Sequence, residues 1–293
     1  MIETKVRANV WRCANHLFNV DRLHPLVMGI LNVTPDSFSD GGTHNGLEDA
    51  VAWAHRMRDE GAHIIDVGGE STRPGFDETG VSLEEERRRV LPVVERLVKE
   101  GFIVSVDTSK PEMMIDVASL GAHILNDIRG FEMPGAMEAA ARTECGLVVM
   151  HRSMSTDYHD VVAEVEAYLQ DRQRLLEDLG VSKDRICWDP GFCFGKTVEQ
   201  NYMLLGATAR FVASGQPYLM GLSRKSSIGV ATGHTKPTDR VTGSVAGALV
   251  TGSVAGALIA VQEGAQVVRV HDCRETADAI AVWRATEEAC GRR

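Results

Sequence analysis

Short apolar runs recur along this chain, and nearly all are followed by a segment with helical spacing. In order they are LVMGIL (26–31), HIIDV (63–67), IVSV (103–106), HILN (123–126), LVVM (147–150), ICWD (186–189), YLMGL (218–222) and VVRV (267–270). Most are rich in Ile and Val and apolar on both faces, which is how strands of a buried parallel sheet read. The segments between them suit helices. Residues 47–60 carry apolar side chains at helical spacing and stop at Gly61. Ser82 opens S-L-E-E, a capping-box pattern, ahead of a helix running to about Glu100. Residues 157–179 read as a long amphipathic helix closed by Gly180. Three helix stops look alike: Glu60-Gly-Ala-His, Leu120-Gly-Ala-His and Glu263-Gly-Ala-Gln. Eight such units in 293 residues predict an α/β chain folded as one (β/α)8 TIM barrel spanning 1–293, with a short N-terminal cap over 1–25. An open doubly wound sheet is the alternative, weakened because no GxGxxG follows the first run.

Composition narrows the function. Hydrophobic residues make up 44% of the chain and charged residues 25%, as in a soluble globular domain. The net charge of -10, with acids and bases interspersed, argues against a nucleic-acid or membrane-surface binder. The start lacks a signal-peptide pattern, and no window is long and apolar enough for a membrane span, so a cytoplasmic location is expected. The six cysteines show no CxxC pair and no zinc spacing, as expected of scattered reduced thiols.

Each run ends in chemistry. At or just past the strand ends stand Asn32; Asp66, then Glu70-Ser-Thr-Arg73; Asp107; Asn126-Asp127; His151; Asp189; Ser223-Arg-Lys225; and Arg269 with His271-Asp272. One Asp after a strand is usually a turn or cap. Eight placements at one barrel end converge on the mouth where catalytic groups sit. They form two sets. Asp107, Asn126, Asp189 and Lys225 offer acceptors and donors in a plane, suited to a nitrogen heterocycle with an N–H beside an NH2. Asn32, Thr72, Arg73, Arg269 and His271 form the second set, in which two possible cations on one strand face, Arg269 and His271, join hydroxyl and amide donors, suited to phosphate or diphosphate. Asn32 is placed to ligate Mg2+ carried on that diphosphate, since Mg2+ takes few protein oxygens. The structural alternative for Arg269 is a strand-end ion pair with Asp272 or Glu275. Zinc between His151 and His271 lacks a third ligand.

MGILNVTPDSFSDGG (28–42) and GAHIIDVGGESTRPG (61–75) resemble the two signature stretches of the dihydropteroate synthase family. SVDTSK (105–110), LNDIRG (125–130), WDPGFCFGK (188–196), GLSRKS (221–226) and VVRVHD (267–272) are similar to its later blocks, in the same order. The resemblance implies an enzyme that joins 4-aminobenzoate to a dihydropterin diphosphate, with Mg2+ as cofactor. It also implies roles. Asp107, Asn126, Asp189 and Lys225 would hold the pterin, with Met150, Phe194 and Gly221 lining the slot. Thr72, Arg269 and His271 would hold the diphosphate, and Asn32 would contact Mg2+. Phe38, Arg73, Pro74 and Ser226 would border the aminobenzoate pocket, where sulfonamides compete. The loop 32–42 would be a lid that Asp36 orders when closed. Asp107, Asp189, Lys225, Arg269 and His271 are the expected catalytic set.

The chain departs from the family pattern twice. The segment VVMHRSMSTDYHDVV (148–162) is short after the fifth strand. VTGSVAGAL occurs twice in tandem, at 241–249 and 250–258. The second copy is expected to keep the family position, because it runs directly into the last strand. The first copy would extend the helix or bulge into the loop after Lys225. These departures leave a non-catalytic pterin-binding paralogue as one alternative; a pterin-dependent methyltransferase is another. A homodimer through the side of the barrel is expected from the small and apolar residues on the helices after the sixth and seventh strands.

Overall fold

A computed structural model describes residues 9–34, 43–70, 80–233 and 243–292. A hairpin comes first, β1 (Asn9–Cys13) antiparallel to β2 (His16–Val20). The apolar runs then become eight parallel strands. They are β3 (Leu26–Asn32), β4 (Ile64–Gly68), β5 (Val104–Asp107), β6 (Ile124–Asp127), β7 (Gly146–Met150), β8 (Ile186–Asp189), β9 (Leu219–Met220) and β10 (Val267–Val270). Helices α1 (Thr43–Asp59), α2 (Leu83–Lys99), α3 (Pro111–Ser119), α4 (Ala136–Ala141) and α5 (Val161–Asp178) return the chain between successive strands up to β8. Two helices, α6 (Val198–Gly206) and α7 (Thr208–Val212), lead to β9. Two more, α8 (Ser226–Ala231) and α9 (Gly243–Gln262), lead to β10, and α10 (Cys273–Ala289) follows it. Neighbouring strands pair in the order β8, β7, β6, β5, β4, β3, β10, β9. A parallel bridge between Trp188 and Tyr218, with the Trp188 N–H donating to the Pro217 carbonyl at 2.9 Å, closes the ring. The expected (β/α)8 barrel forms.

Alternation with period two explains what fills it. Met28, Ile64, Ile124, Val148, Cys187, Leu219 and Val267 point inward at the lower end and share one apolar cluster with Trp11, Cys13, Phe18 and Val20 of the hairpin. The hairpin therefore plugs the bottom. Trp11 Nε1 donates to the Arg185 carbonyl at 3.0 Å. A Cβ on Gly146 would lie 2.6 Å from Cys13 Sγ, so β7 tolerates the plug only with glycine there. The outward residues, such as Ile65, Val67, Leu125 and Val149, pack in a second cluster against the helices.

The repeated Gly-Ala-His/Gln stops share one device. His63 Nδ1 accepts the Val27 N–H (3.0 Å), His123 Nδ1 accepts the Val104 N–H (3.3 Å), and Gln266 Oε1 accepts the Tyr218 N–H (2.9 Å). Each side chain thus satisfies a backbone donor on the neighbouring strand or the residue leading into it. Burial lowers the pKa of His123 from its ordinary value. A depressed histidine contributes stability above its unfolded pKa, and that stability is lost as pH falls. His123→Gln should therefore match the wild type at pH 7 and exceed it in stability near pH 5 in urea melts. A variant weaker at both values would refute the acceptor role.

Ser82 caps α2 through the Glu85 N–H (3.3 Å). The reciprocal half of the expected capping box does not form, because Arg88 and Arg89 take the Glu85 carboxylate at 2.7 and 2.6 Å. A complete box stands instead at α6, between Thr197 and Gln200.

The tandem repeat becomes one helix, α9, that includes Gly243 to Leu249 of the first copy and all of the second. Nine residues turn an α-helix by about half a revolution beyond two full turns, so the copies face opposite ways. The second copy makes the close glycine contacts, while Leu249 at the end of the first packs against the core. A Cβ on Gly252 would sit 2.6 Å from Ile228 Cγ2, and one on Gly256 would sit 2.8 Å from Leu222 Cδ1. Ser253 Oγ accepts the Arg224 N–H at 2.8 Å. Gly247, the first-copy equivalent of Gly256, has nothing within 4 Å. Gly256→Ala should cost about 1–3 kcal/mol through overpacking against Leu222. Gly247→Ala should stabilise by up to about 1 kcal/mol through helix propensity. Urea melts of the two variants moving in the same direction would contradict this placement.

All six cysteines are free thiols. Among the described residues, no helix is long and apolar enough to cross a membrane.

Candidate active site

The upper layer of the barrel interior is polar. Two residues after the inward apolar side chains of β4, β6, β8 and β10 come Asp66, Asn126, Asp189 and Arg269, on the same face of each strand. Arg269 is the hub. Its Nε donates to Asp66 Oδ2 at 2.6 Å, and its Nη2 donates to Asp107 Oδ2 at 2.9 Å. Asn126 Nδ2 donates to the same Asp66 oxygen at 3.2 Å. Asp66 is fully buried, and its Oδ1 has no hydrogen-bond partner among the described residues. The alternative of a strand-end ion pair with Asp272 or Glu275 is not the contact Arg269 makes. Arg269 lies inside the barrel, whereas Asp272 stands past the strand end and binds Arg224, Oδ2 to Nε at 3.1 Å. Burial pushes the Asp107 carboxyl up to about 7, against the downward pull of Arg269. Asp127, beside Asn126, is tied down by the Ser109 hydroxyl (2.5 Å) and the Arg129 and Phe131 N–H groups (both 2.8 Å). Burial still raises it to about 6.

Asp189 and Lys225 face this group from the other side. Asp189 is buried, which raises its pKa, and Lys225 opposes the rise. Its Oδ1 accepts the Gly191 N–H at 2.7 Å. Lys225 Nζ donates to the Phe192 carbonyl at 2.7 Å and lies 4.6 Å from the Phe194 ring centre. Burial draws its ammonium down to about 8. Gly221 lies between the halves. A Cβ there would be 3.7 Å from Asp189 Oδ2 and 3.8 Å from Arg269 Cβ. The floor between carboxylate and guanidinium therefore carries no side chain. Met150 is buried at the end of β7, in register with Asp189.

Asn32 ends β3. Gly68, its partner on β4, is flanked by Asn32 Oδ1 and Asp107, 3.6 Å from the Cβ position on either side. His271 is held by Ser223, whose hydroxyl lies 3.1 Å from Nδ1 and accepts the His271 N–H at 3.2 Å. Burial, then Arg269 and Arg224, lower His271 to about 4. The two cations expected at the anion edge are thus one guanidinium and one neutral imidazole in the free protein. Ser226 opens α8, 3.7 Å from Cys193 Sγ. Asp36, Phe38, Thr72, Arg73 and Pro74 lie outside the described residues.

Several site groups escaped the sequence reading. Asp66 was noted only as a strand-end residue, yet a charge inside the run HIIDV was a usable signal. Lys110 binds Glu86 (2.6 Å) and Glu70 (3.2 Å), which anchors the exit of β4. Neither contact had a sequence signature. Among the described residues no group of three or more His, Cys, Asp or Glu could hold a metal. Asn32 Oδ1, 3.6 Å from the Cβ position of Gly68, is a neutral acceptor at this end of the barrel.

The closed barrel thus holds a bare glycine floor between the buried Asp189 carboxylate and Arg269, with room beside it for a flat ring. The match to the pterin binding enzyme family covers residues 28–271, and the chain belongs to that family, among the dihydropteroate synthases. It is 48% identical over 279 residues to the dihydropteroate synthase of Escherichia coli strain K12, covering 92% of this chain and 95% of that one. The solved dihydropteroate synthase of Xanthomonas albilineans with 4-aminobenzoic acid superimposes with a TM-score of 0.86 at 46% identity, over 96% of this chain and 98% of that one. The Yersinia pestis enzyme in a sulfonamide drug complex gives 0.84 at 41% identity, over 96% and 99%.

Proposed function

We infer that this chain condenses 4-aminobenzoate with (7,8-dihydropterin-6-yl)methyl diphosphate, giving 7,8-dihydropteroate and diphosphate in folate biosynthesis, and that sulfonamides compete for its aminobenzoate pocket. The observation that carries this reading is the convergence of Asp107, Asn126 and Arg269 with Asp189 and Lys225 across Gly221. Relatives named for this activity, and a neighbour solved with 7,8-dihydropteroate, support it.

In this reading Asp107, Asn126, Asp189 and Lys225 hold the pterin edge to edge, and Met150, Phe194 and Gly221 line its faces. Arg269 Nη1, His271 and Thr72 meet the diphosphate. Phe38, Arg73, Pro74 and Ser226 border the aminobenzoate, with Asp36 ordering the loop that covers it. The bond from the pterin methylene to the diphosphate oxygen breaks, and its electron pair leaves on diphosphate. Arg269 and His271 stabilise that charge. The ring delocalises the positive charge left behind, and Asp107 and Asp189 offset it. The aniline lone pair then forms the C–N bond, and the nitrogen releases a proton. No general base is needed before attack. Magnesium, when bound on the diphosphate, supplies further charge neutralisation; Asn32 is the residue that would meet it.

A cytoplasmic homodimer completes the proposal. Met203 on α6, Val230 on α8 and Ile259 on α9 are exposed apolar groups on mutually contacting helices, which supports pairing through this side. The test is turnover by purified protein with labelled 4-aminobenzoate, with and without Mg2+. Dihydropteroate and diphosphate should form in equal amounts, and a sulfonamide should raise the KM for aminobenzoate. Pterin binding without product would point to a non-catalytic paralogue, and methyl transfer to a methyltransferase.

A further inference from the structure

The reaction as described does not use the buried ammonium of Lys196. Lys196 follows β8 and is 8% exposed. Every atom its ammonium bonds to is formally neutral. Nζ donates to the Gly191 and Phe194 carbonyls, both at 2.9 Å, and lies 2.9 Å from His151 Nδ1 and 3.5 Å from the His151 carbonyl. Burial, then the Lys196 charge, push His151 down to about 3, so the imidazole is neutral and accepts at Nδ1. Burying an ammonium without an ion-pair partner is costly, and burial draws Lys196 down to about 7.

What Lys196 ties together is one wall of the pterin slot. The Gly191 N–H binds Asp189, and the Phe194 ring lies against the Lys225 ammonium. The loop turns through positive φ at Gly191 (69°), Cys193 (70°) and Gly195 (66°). It presses on the segment after β7 so closely that a Cβ on Gly191 would lie 1.7 Å from the His151 carbonyl oxygen. An apolar chain at position 196 would take this donor from the Phe194 carbonyl and His151 Nδ1, and leave the Gly191 carbonyl only the Phe194 N–H at 3.0 Å.

We propose that Lys196 is a positioning residue for the pterin half of the site, its ammonium clamping the Gly191 and Phe194 carbonyls to His151 and so fixing Asp189 and the Phe194 ring. This rests on the reading that Asp189 and Phe194 contact the pterin. The experiment measures KM for each substrate in the full-length wild type, Lys196→Met, Lys196→Arg and Asp189→Asn, each first shown to be folded by its thermal melt. Lys196→Met should raise the KM for pterin diphosphate about tenfold or more, and leave that for 4-aminobenzoate within about twofold. Lys196→Arg keeps the charge but cannot converge on three acceptors, and should fall between. An unchanged pterin KM in Lys196→Met, or both KM values rising together, overturns the proposal. If Lys196→Met does not fold, Lys196→Arg decides: a selective rise in pterin KM of about threefold supports the clamp, and no rise overturns it. Asp189→Asn separates the two levels. If it too leaves pterin KM unchanged, the site reading itself fails; if only the Lys196 variants do, the clamp alone fails.

Discussion

Arg269→Met should lower kcat/KM by about a thousandfold and the melting temperature by about 10 °C at pH 8. Two costs arise from one side chain. Asp66 and Asp107 both accept hydrogen bonds from the Arg269 guanidinium, at 2.6 and 2.9 Å. Asp66 is fully buried, and its Oδ1 already lacks a partner among the described residues. Removing the guanidinium leaves the buried Asp66 and the half-buried Asp107 carboxylates uncompensated, a loss of about 3–5 kcal/mol. The loss depends on pH in a fixed direction. Without Arg269 the Asp107 carboxyl, already raised by burial, loses the group that pulls it down, so the variant weakens as pH rises and partly recovers near pH 5. Asp66→Asn combined with Arg269→Met should regain much of the stability and none of the activity. An Arg269→Met protein as stable as the wild type at pH 8 would show that the three groups are not coupled as described.

Asp107→Asn should do the reverse, stabilising the ligand-free protein while lowering kcat/KM by about a hundredfold or more. Burial holds the Asp107 carboxyl near 7 although Arg269 pulls it down, so its surroundings disfavour the charged form. A carboxyl raised above its unfolded value costs stability once pH exceeds that unfolded value, near 4. The cost grows until the folded pKa and is constant above it. Asparagine escapes it. The advantage of the variant should be near zero at pH 4, rise through pH 7, and level off at roughly 2–4 kcal/mol. Urea melts at pH 4, 6 and 8 read this directly. A variant less stable than the wild type at pH 8 would mean that the Arg269 contact outweighs burial.

How far the sequence speaks can be judged from single strands. Ile64 and Asp66, Ile124 and Asn126, Cys187 and Asp189, and Val267 and Arg269 each place an apolar side chain low in the barrel and a polar one above it. Period-two alternation alone puts such pairs on one face, so both the barrel and the polar end of its interior were legible. Strand limits shifted by about one residue where a side chain did other work. His63 and His123 precede their strands because their rings cap the neighbouring backbone. Tyr218 makes only a single bridge. The partners of Arg269 were not legible. They lie 203 and 162 residues away, on β4 and β5, and only closure of the ring brings them near. The neutrality of His271 follows from burial beside two arginines, which no spacing reveals. Lys196 gave no signal either, because its acceptors are backbone carbonyls and a histidine ring 45 residues away.

The most direct test of the central claim is a crystal structure of the protein with its pterin diphosphate substrate. The ring should lie over Gly221, within hydrogen-bond distance of Asp107, Asn126, Asp189 and Lys225, with its diphosphate turned toward Arg269 and His271. A ring seated outside the barrel, or one that leaves both Asp107 and Asp189 untouched, would contradict the account.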